Sequence, residues 1–519
     1  MLSVADGTQQ GLFDARWCGQ VVASDSFYGL LAEHGHRIVA DRDFAACYSE
    51  RAGRPSIPPS HLAKILLLAY REGASDEQAM ERLRYDLRWK VALGVPLDHP
   101  GYHPTSLVKF RARLLLHGLE RLALERSIAL ATELGLMEGS VEQIVDSTPM
   151  LGAAATQDTV RLVRSGVATL IGAVATLDPE AAGALRRGLA FDYSSPRRKP
   201  ECDWRRKAAR EQMLTEVARD AHRALRAIEA EPDLAGAPKI AEALSLLGDL
   251  VGQDFEIDHD DVPRLRRGVA HGRILSVVDP EMRHGRKSQH QRFDGYKIHA
   301  AATGDGRLIS ALEVSPGGDR DGAHAGALID TQPGGLRPTR LLGDTAYGDQ
   351  VTRAGLAERT VDVLAPVPES RPRPGRLGKR DFAIDLDAGT VSCPGGRIRP
   401  ISARPRASGE RSATFRAGGC SGCALTGACL DTSGRRMIAI EPREDLLLAG
   451  IAAMADPHER EGHRRRRPRI ERLLSLLAHR YHARKSRYFG RRKALLQAAW
   501  SAALVNLNPI GAAIRAQAT

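Results

Sequence analysis

Apolar residues recur every three or four positions from residue 28 to 135. They then gather into short runs at 141–145, 273–278 and 295–317, so a helical segment precedes a region of strands. Within the helical segment, His61 to Arg71 carries Leu62, Ile65, Leu66 and Ala69 on one face, and Gly73 ends it. Ser75 followed by Gln78 has capping-box spacing for a helix from Asp76 to Tyr85. Two short helices joined by a Gly-containing turn fit a helix-turn-helix, and fit a plain helical bundle equally well. After a loop from Pro96 to Pro104, Ser106 opens a helix bearing Lys109, Arg111 and Arg113, residue types that contact phosphates.

The period changes at residue 141. Val141 to Val145 predicts a buried strand that delivers Asp146 at its C-terminal end, followed by Ser147 and Thr148. Helical character returns from Thr159 to about Pro263, divided by a polar, basic break at Asp192 to Asp203. Strands resume at Arg273 to Val278 and then flank Thr303-Gly304-Asp305-Gly306, where Asp-Gly marks a hairpin. Leu341 to Gly348 repeats the earlier arrangement of apolar residues, Asp and a hydroxyl residue. Residues 366–380 read as a linker, short strands follow among four cysteines, and an apolar helix around Leu495 to Leu507, with Trp500, is expected to pack inside.

These changes divide the chain into a helical N-terminal region suited to DNA binding (1–135), three core segments (136–158, 266–350 and 451–519), a helical insertion (159–265) and a small cysteine-containing β-rich insertion (351–450). The fold class is mixed α/β.

Charge narrows the partner. The net charge is +12, and residues 462–493 hold thirteen Lys or Arg against one acid, which accounts for the whole excess. Basicity confined to one stretch is the footprint of a nucleic-acid-binding face. The N-terminus lacks a charged start followed by an apolar core, and the best apolar run, residues 494–505, is too short to span a membrane. Seven cysteines, an odd number, point to the reducing cytoplasm rather than to a disulfide framework.

The single acid in that basic stretch is Glu471, three residues after Pro468, in the first turn of a helix. It either relieves local repulsion or serves a ligand outside the helix. Together with Asp146 and Asp344 it forms a strand, strand, helix set of acids suited to hard cations such as Mg²⁺ or Mn²⁺ in phosphoryl transfer. Spacing does not separate these three from Asp279, Asp294, Asp321 and Asp349, because turns and strand ends carry Asp for local hydrogen bonding.

The stretches VDSTPMLGAAATQDT, DPEMRHGRKSQHQRFDGYKIHAA, LLGDTAYG and RRRRPRIERLLSLL resemble the DDE transposases of bacterial insertion sequences, of the IS-four and IS-five type, over nearly the whole chain. The resemblance implies a ribonuclease H-like catalytic core behind a helical N-terminal domain. It makes Asp146, Asp344 and Glu471 the catalytic and metal-binding triad and Arg467 the arginine four residues before the Glu. Two positions depart from the family pattern: Arg464 stands where a Tyr is frequent, and Ala478 where a Lys or Arg is frequent, leaving Arg472, Arg480 or Lys485 to substitute.

The implied activity is metal-dependent cleavage of element ends and strand transfer, with double-stranded DNA as partner and a homodimer or larger assembly holding two ends. The DNA path would use Arg464, Arg467, Arg472, Arg286, Arg292 and Lys297, with Arg283 and Lys287 nearby, and Tyr347 either stacks on a base or is half-buried. The rivals are a degenerate copy that only binds DNA, a nuclease of the same core without strand transfer, and an RNA-binding scaffold whose acids are structural. Cys393, Cys420, Cys423 and Cys429 offer a structural Zn²⁺ site with a single C-x2-C knuckle; separate reduced thiols are the alternative. Cys18, Cys47 and Cys202 read as packing residues.

Overall fold

The computed structural model describes residues 1–4, 21–49, 53–137, 142–196, 198–259, 262–288, 290–332, 336–369 and 372–518. Val141 and Cys18 lie outside them. A central mixed sheet is built from β1 (Glu142–Leu151), β2 (Arg283–Arg286), β3 (Arg292–Thr303), β4 (Ile309–Pro316), β5 (Arg340–Leu342) and β6 (Asp362–Leu364). β3 lies antiparallel between β1 and β4, and β2 continues the β4 edge. On the other side of β1, β5 and then β6 run parallel to it. The β3–β4 turn is the expected one: Gly306 has φ 68°, its N–H donates to the Thr303 carbonyl at 2.7 Å, and the Thr303 hydroxyl donates to Asp305 at 2.6 Å.

β1 is longer than the apolar run predicts, and Asp146 is in its middle rather than at its end. The parallel ladder with β5 stops at Ile144–Leu342, while the antiparallel ladder with β3 runs on to Leu151. Asp146 therefore stands just past the end of the parallel half of the sheet. Arg273 to Val278 does not form a strand. Glutamines take up its backbone groups: Gln253 Oε1 accepts from the Ile274 N–H at 2.8 Å, and Gln157 Oε1 from Val277 at 3.1 Å.

One hydrophobic core joins the N-terminal helices, the sheet and the C-terminal helix Arg491–Ala518. Phe44 and Phe110 pack near fully buried Trp500, whose ring lies 6.4 Å from Phe110. Helix Pro59–Glu72 is buried almost throughout, so it is a core element. The capping box on helix Asp76–Tyr85 forms as expected, with Gln78 N–H on the Ser75 hydroxyl at 3.2 Å and Ser75 N–H on the Gln78 amide at 2.9 Å. That helix exposes Glu77, Gln78, Glu81, Arg84 and Tyr85. Arg111 is not available to phosphate, because its Nη1 donates to Asp76 at 2.8 Å and the side chain is 11% exposed.

The helical insertion comprises Thr159–Leu177, Pro179–Arg187, Lys207–Glu229, Pro238–Asp254 and a short strand pair, around a core of its own. Thr159–Leu177 is long and apolar enough to cross a membrane, although charged Arg161 and Arg164 break its apolar run. Its Val163, Val167, Leu170 and Val174 are fully buried in that core. The cysteine-containing unit has a core of its own, eight buried residues between two small sheets.

Candidate active site

Asp146 and Asp344 emerge side by side because β1 and β5 are parallel neighbours. β5 stops at Leu342, and Asp344 then caps a 3-10 turn over Thr345–Tyr347, its Oδ1 accepting from the Ala346 N–H at 2.9 Å. Gly343 makes this exit possible, since a Cβ there would lie 2.8 Å from the Tyr347 side chain. Tyr347 is 1% exposed, and burial holds its phenol well above the usual range. It is a packing residue, closed to base stacking.

Glu471 arrives from the other end of the chain. His463 Nε2 lies 2.8 Å from the Gly343 carbonyl and ties helix Pro457–Arg466 to the β5 exit. Pro468 then starts helix Arg469–Ser475, whose Ile470, Leu473 and Leu474 enter the main core. With that face buried, Glu471 is turned outward over the sheet end.

All three acids meet on Arg467. Its Nη2 lies 3.0 Å from Asp146 Oδ2 and 3.8 Å from Asp344 Oδ2, while Nη1 donates to Glu471 Oε1. Side-chain exposure rises from 13% at Asp146 to 42% at Asp344 and 56% at Glu471, so the acids line a cleft from floor to mouth. Burial pushes the Asp146 carboxyl up to about 6; Arg467 and the Ser147 N–H oppose this, and the other two acids add to it. Arg467 Nε is itself buried without a partner.

The cleft encloses about 420 Å³. Of the residues expected to meet DNA, Arg286, Lys297 and Arg467 line it, with Lys287 beside them. Lys297 is paired, its Nζ 2.7 Å from Asp321 Oδ1. Arg292 faces Arg286 across the β2–β3 register but does not line the cleft. Arg464 points away and bonds Glu461 at 2.8 Å, and Arg472 is exposed on the Glu471 helix outside the cleft. His479 and Arg484, absent from the sequence-based set, line the wall beside Glu471.

Asp321 also belongs to the cleft, accepting the Ser147 hydroxyl at 2.8 Å as well as Lys297. No sequence signal separates it from the other acids. Asp279 is buried and accepts the Tyr296 hydroxyl, Asp294 pairs with His284, and Asp349 caps helix Gln350–Ala357.

Cys393, Cys420, Cys423 and Cys429 line one cavity with about 10 Å³ of free space, and none is in a disulfide. The Arg397 N–H donates to Cys393 Sγ at 3.3 Å. Burial raises the Cys429 thiol; Arg436 opposes this and the other three cysteines reinforce it. Among the described residues no group of three or more His, Cys, Asp or Glu is arranged to hold a metal ion. In the cleft, Arg467 occupies the point on which the three carboxylates converge. The oxygen donors suit a hard divalent cation, and the thiols suit zinc.

Residues 21–113 match the family described as Transposase domain (DUF772), and residues 392–510 match the family described as Transposase DDE domain. Both matches support an insertion-sequence transposase of the DDE type. Such a domain implies a metal-dependent enzyme that processes DNA. The second match takes in the cysteine cluster, Arg467, Glu471 and Arg484, and begins beyond Asp146 and Asp344. No curated protein and no solved structure matches the transposase.

Proposed function

We propose that the transposase binds the ends of its own element, cuts there and joins the freed 3' ends to target DNA, using Asp146, Asp344 and Glu471 as a DDE triad. The convergence of these three acids, distant in sequence, on one guanidinium at the end of two parallel strands carries this reading. The sheet order, three antiparallel strands followed by two parallel ones, supports a ribonuclease H-like core of the IS-four and IS-five type.

The three carboxylates would hold Mg²⁺ or Mn²⁺, which when bound supplies an activated oxygen nucleophile and charge stabilisation at phosphorus. The protein's own part is positional. Asp146 is fixed by the β1–β3 ladder and the Ser147 N–H, Asp344 by its cap, and Glu471 by a helix anchored in the core. Arg467 holds the acids together and must yield at least one of them when a cation enters. It is then placed to meet a phosphate, as are Arg286 and Lys287 on the opposite wall. Arg464, Arg472, Arg292 and Lys297 would take contacts further along the duplex or after rearrangement of their present pairs.

Work on two ends calls for a homodimer or larger assembly, and DNA as substrate places the enzyme in the cytoplasm with the nucleoid. The N-terminal helical region would contribute to end recognition. Zinc at Cys393, Cys420, Cys423 and Cys429 would be structural, supported by four thiols around one cavity in a unit with a small core. The test is incubation with labelled duplex carrying the flanking ends of the gene, in Mg²⁺ or Mn²⁺. Metal-dependent cutting and joining is expected. Binding without cutting would identify a degenerate copy, and cutting without joining a nuclease.

A further inference from the structure

The helix carrying Glu471 does not end in an ordinary cap. It widens into a π turn over Leu476–Arg480, a form that recurs at functional sites, and the chain then reverses through His482 at φ 59°. His482 and Thr360 are the only non-glycine residues with positive φ among the described residues, and such strain persists only where the surroundings impose it.

Here the surroundings do so on three sides. The Ala483 N–H donates to the Leu477 carbonyl at 3.1 Å and the Arg484 N–H to the Ala478 carbonyl at 3.0 Å, locking the reversal to the π turn. The Leu151 N–H donates to the Arg484 carbonyl at 2.9 Å and the Ser486 N–H to the Leu151 carbonyl at 2.7 Å, a parallel bridge to the end of β1. Fully buried Gln497 donates to the carbonyls of His482 at 3.1 Å and Lys485 at 2.9 Å, and accepts from the Arg487 N–H at 2.8 Å. The backbone of Arg484 is therefore indexed to both elements that carry catalytic acids: the Glu471 helix and the Asp146 strand.

The segment also sorts its cations. Arg480 donates to the Arg71 carbonyl at 3.4 Å, and Arg487 donates to the Ala74 carbonyl at 2.7 Å with its guanidinium 5.2 Å from the Tyr70 ring; both face the N-terminal helices. Arg484 alone of the three lines the acid cleft, and its guanidinium has no partner among the described residues. The backbone that carries this exposed guanidinium is fixed beside three acids, and a phosphodiester matches its planar donor fork.

We propose that Arg484 is a substrate-binding residue of the transposase: it grips a phosphate of the strand being cut, next to the attacked one, and fixes that strand's register over Asp146 and Glu471. This rests on the DDE reading, yet it can fail separately from it. The probe is the duplex bearing the element's own ends, made also with single uncharged methylphosphonates at each phosphate around the cut. Arg484→Ala, Arg484→Lys and, as a charge control, Lys239→Ala in the helical insertion are compared with wild type.

For Arg484→Ala the salt dependence of binding should flatten by about one counterion, and cleavage should fall about 10- to 100-fold, with partial rescue by Lys. One methylphosphonate position should weaken wild-type binding and leave Arg484→Ala unaffected. Lys239→Ala should behave as wild type. An unchanged salt slope, with every methylphosphonate felt equally by wild type and Arg484→Ala, would overturn the assignment. Absence of cleavage by the wild type would sink the DDE reading, while the slope and methylphosphonate comparison would still decide Arg484.

Discussion

The acid cleft and the thiol cavity both gather side chains of metal-ligating type, and they are built on opposite principles. The acids come from three segments far apart in sequence, are tied by a cation, and open to solvent by degrees. The thiols come from one short stretch, enclose about 10 Å³, and share a core with Phe382, Phe415, Ile438 and Ile440. Catalytic metal sites keep an open position and structural ones are closed. Under the function proposed above, the contrast gives chemistry to the first and stability to the second.

The largest effect that would break this contrast lies in the cleft. Asp146→Asn, Asp344→Asn or Glu471→Gln should each lower end cleavage by at least about 10³-fold in Mg²⁺, as loss of a group acting on the transition state does, with end binding retained. Gel assays of binding and cutting on the same duplex check this. Equal cutting by any of the three would remove that acid from the triad. Asp321→Asn should cost less than any of them, since Asp321 acts through Ser147 and Lys297.

Arg467 gives the next largest effect. Arg467→Ala should cut the cleavage rate by about 10- to 100-fold, the scale of losing a partner that orients metal-binding groups. It also leaves three neighbouring carboxylates without their cation. Its melting temperature in chelator should fall below that of wild type, and Mg²⁺ should raise it by more than it raises the wild type. A variant whose melting temperature ignores Mg²⁺ would show that the acids do not converge on a cation site.

A smaller effect is a matter of pH. Burial raises the Asp146 carboxyl to about 6 in the metal-free protein, so charging it opposes folding. The associated stability is present in full below about pH 4 and is lost as pH rises through about 6. Asp146→Asn has nothing to ionise there. In chelator it should melt above the wild type at pH 7, by up to roughly 2–3 kcal/mol, and the gap should close towards pH 4. Buried His299, held down at about 3 by burial and by stacked His324, pulls the other way in both proteins and cancels in the difference. Parallel melting curves across pH 4–8 are sufficient, and a constant gap would mean that Asp146 does not titrate there.

Much of the cleft was legible in the sequence because its signals are local. An apolar run, an Asp and a hydroxyl residue mark where β1 and β5 deliver their acids, and the Asp-Gly turn marks the hairpin beside them. What was not legible depends on partners far away in the chain. Asp146 looks like a strand end because the apolar run stops there, yet the β3 ladder carries β1 on to Leu151. Arg273 to Val278 has strand composition, but glutamine side chains use the backbone groups a neighbouring strand would need. Arg111 reads as a phosphate contact until Asp76 is found against it, and Arg484 reads as one basic residue among thirteen until the π turn and the Leu151 bridge single it out. Three-residue periods and turn pairs report local geometry; they do not report which cation already has an acid.

The smallest effect on cleavage should come from the thiols, and this is where the contrast is sharpened. As a structural zinc site, the purified enzyme should carry about one zinc per chain by elemental analysis, and Cys420→Ser or Cys423→Ser should lose it. The eight buried residues of that unit are a small core, so loss of a metal tie should make residues 377–440 more open to proteolysis. The acids and Arg467 belong to segments anchored in the main core, so cleavage in Mg²⁺ should change by less than about 3-fold if the two sites act independently. Zinc-free wild-type protein that resists proteolysis as well as before would make the four thiols packing groups. A variant that keeps its fold but loses cleavage would instead bring the cysteine unit into the catalytic machinery and erase the distinction between the two centres.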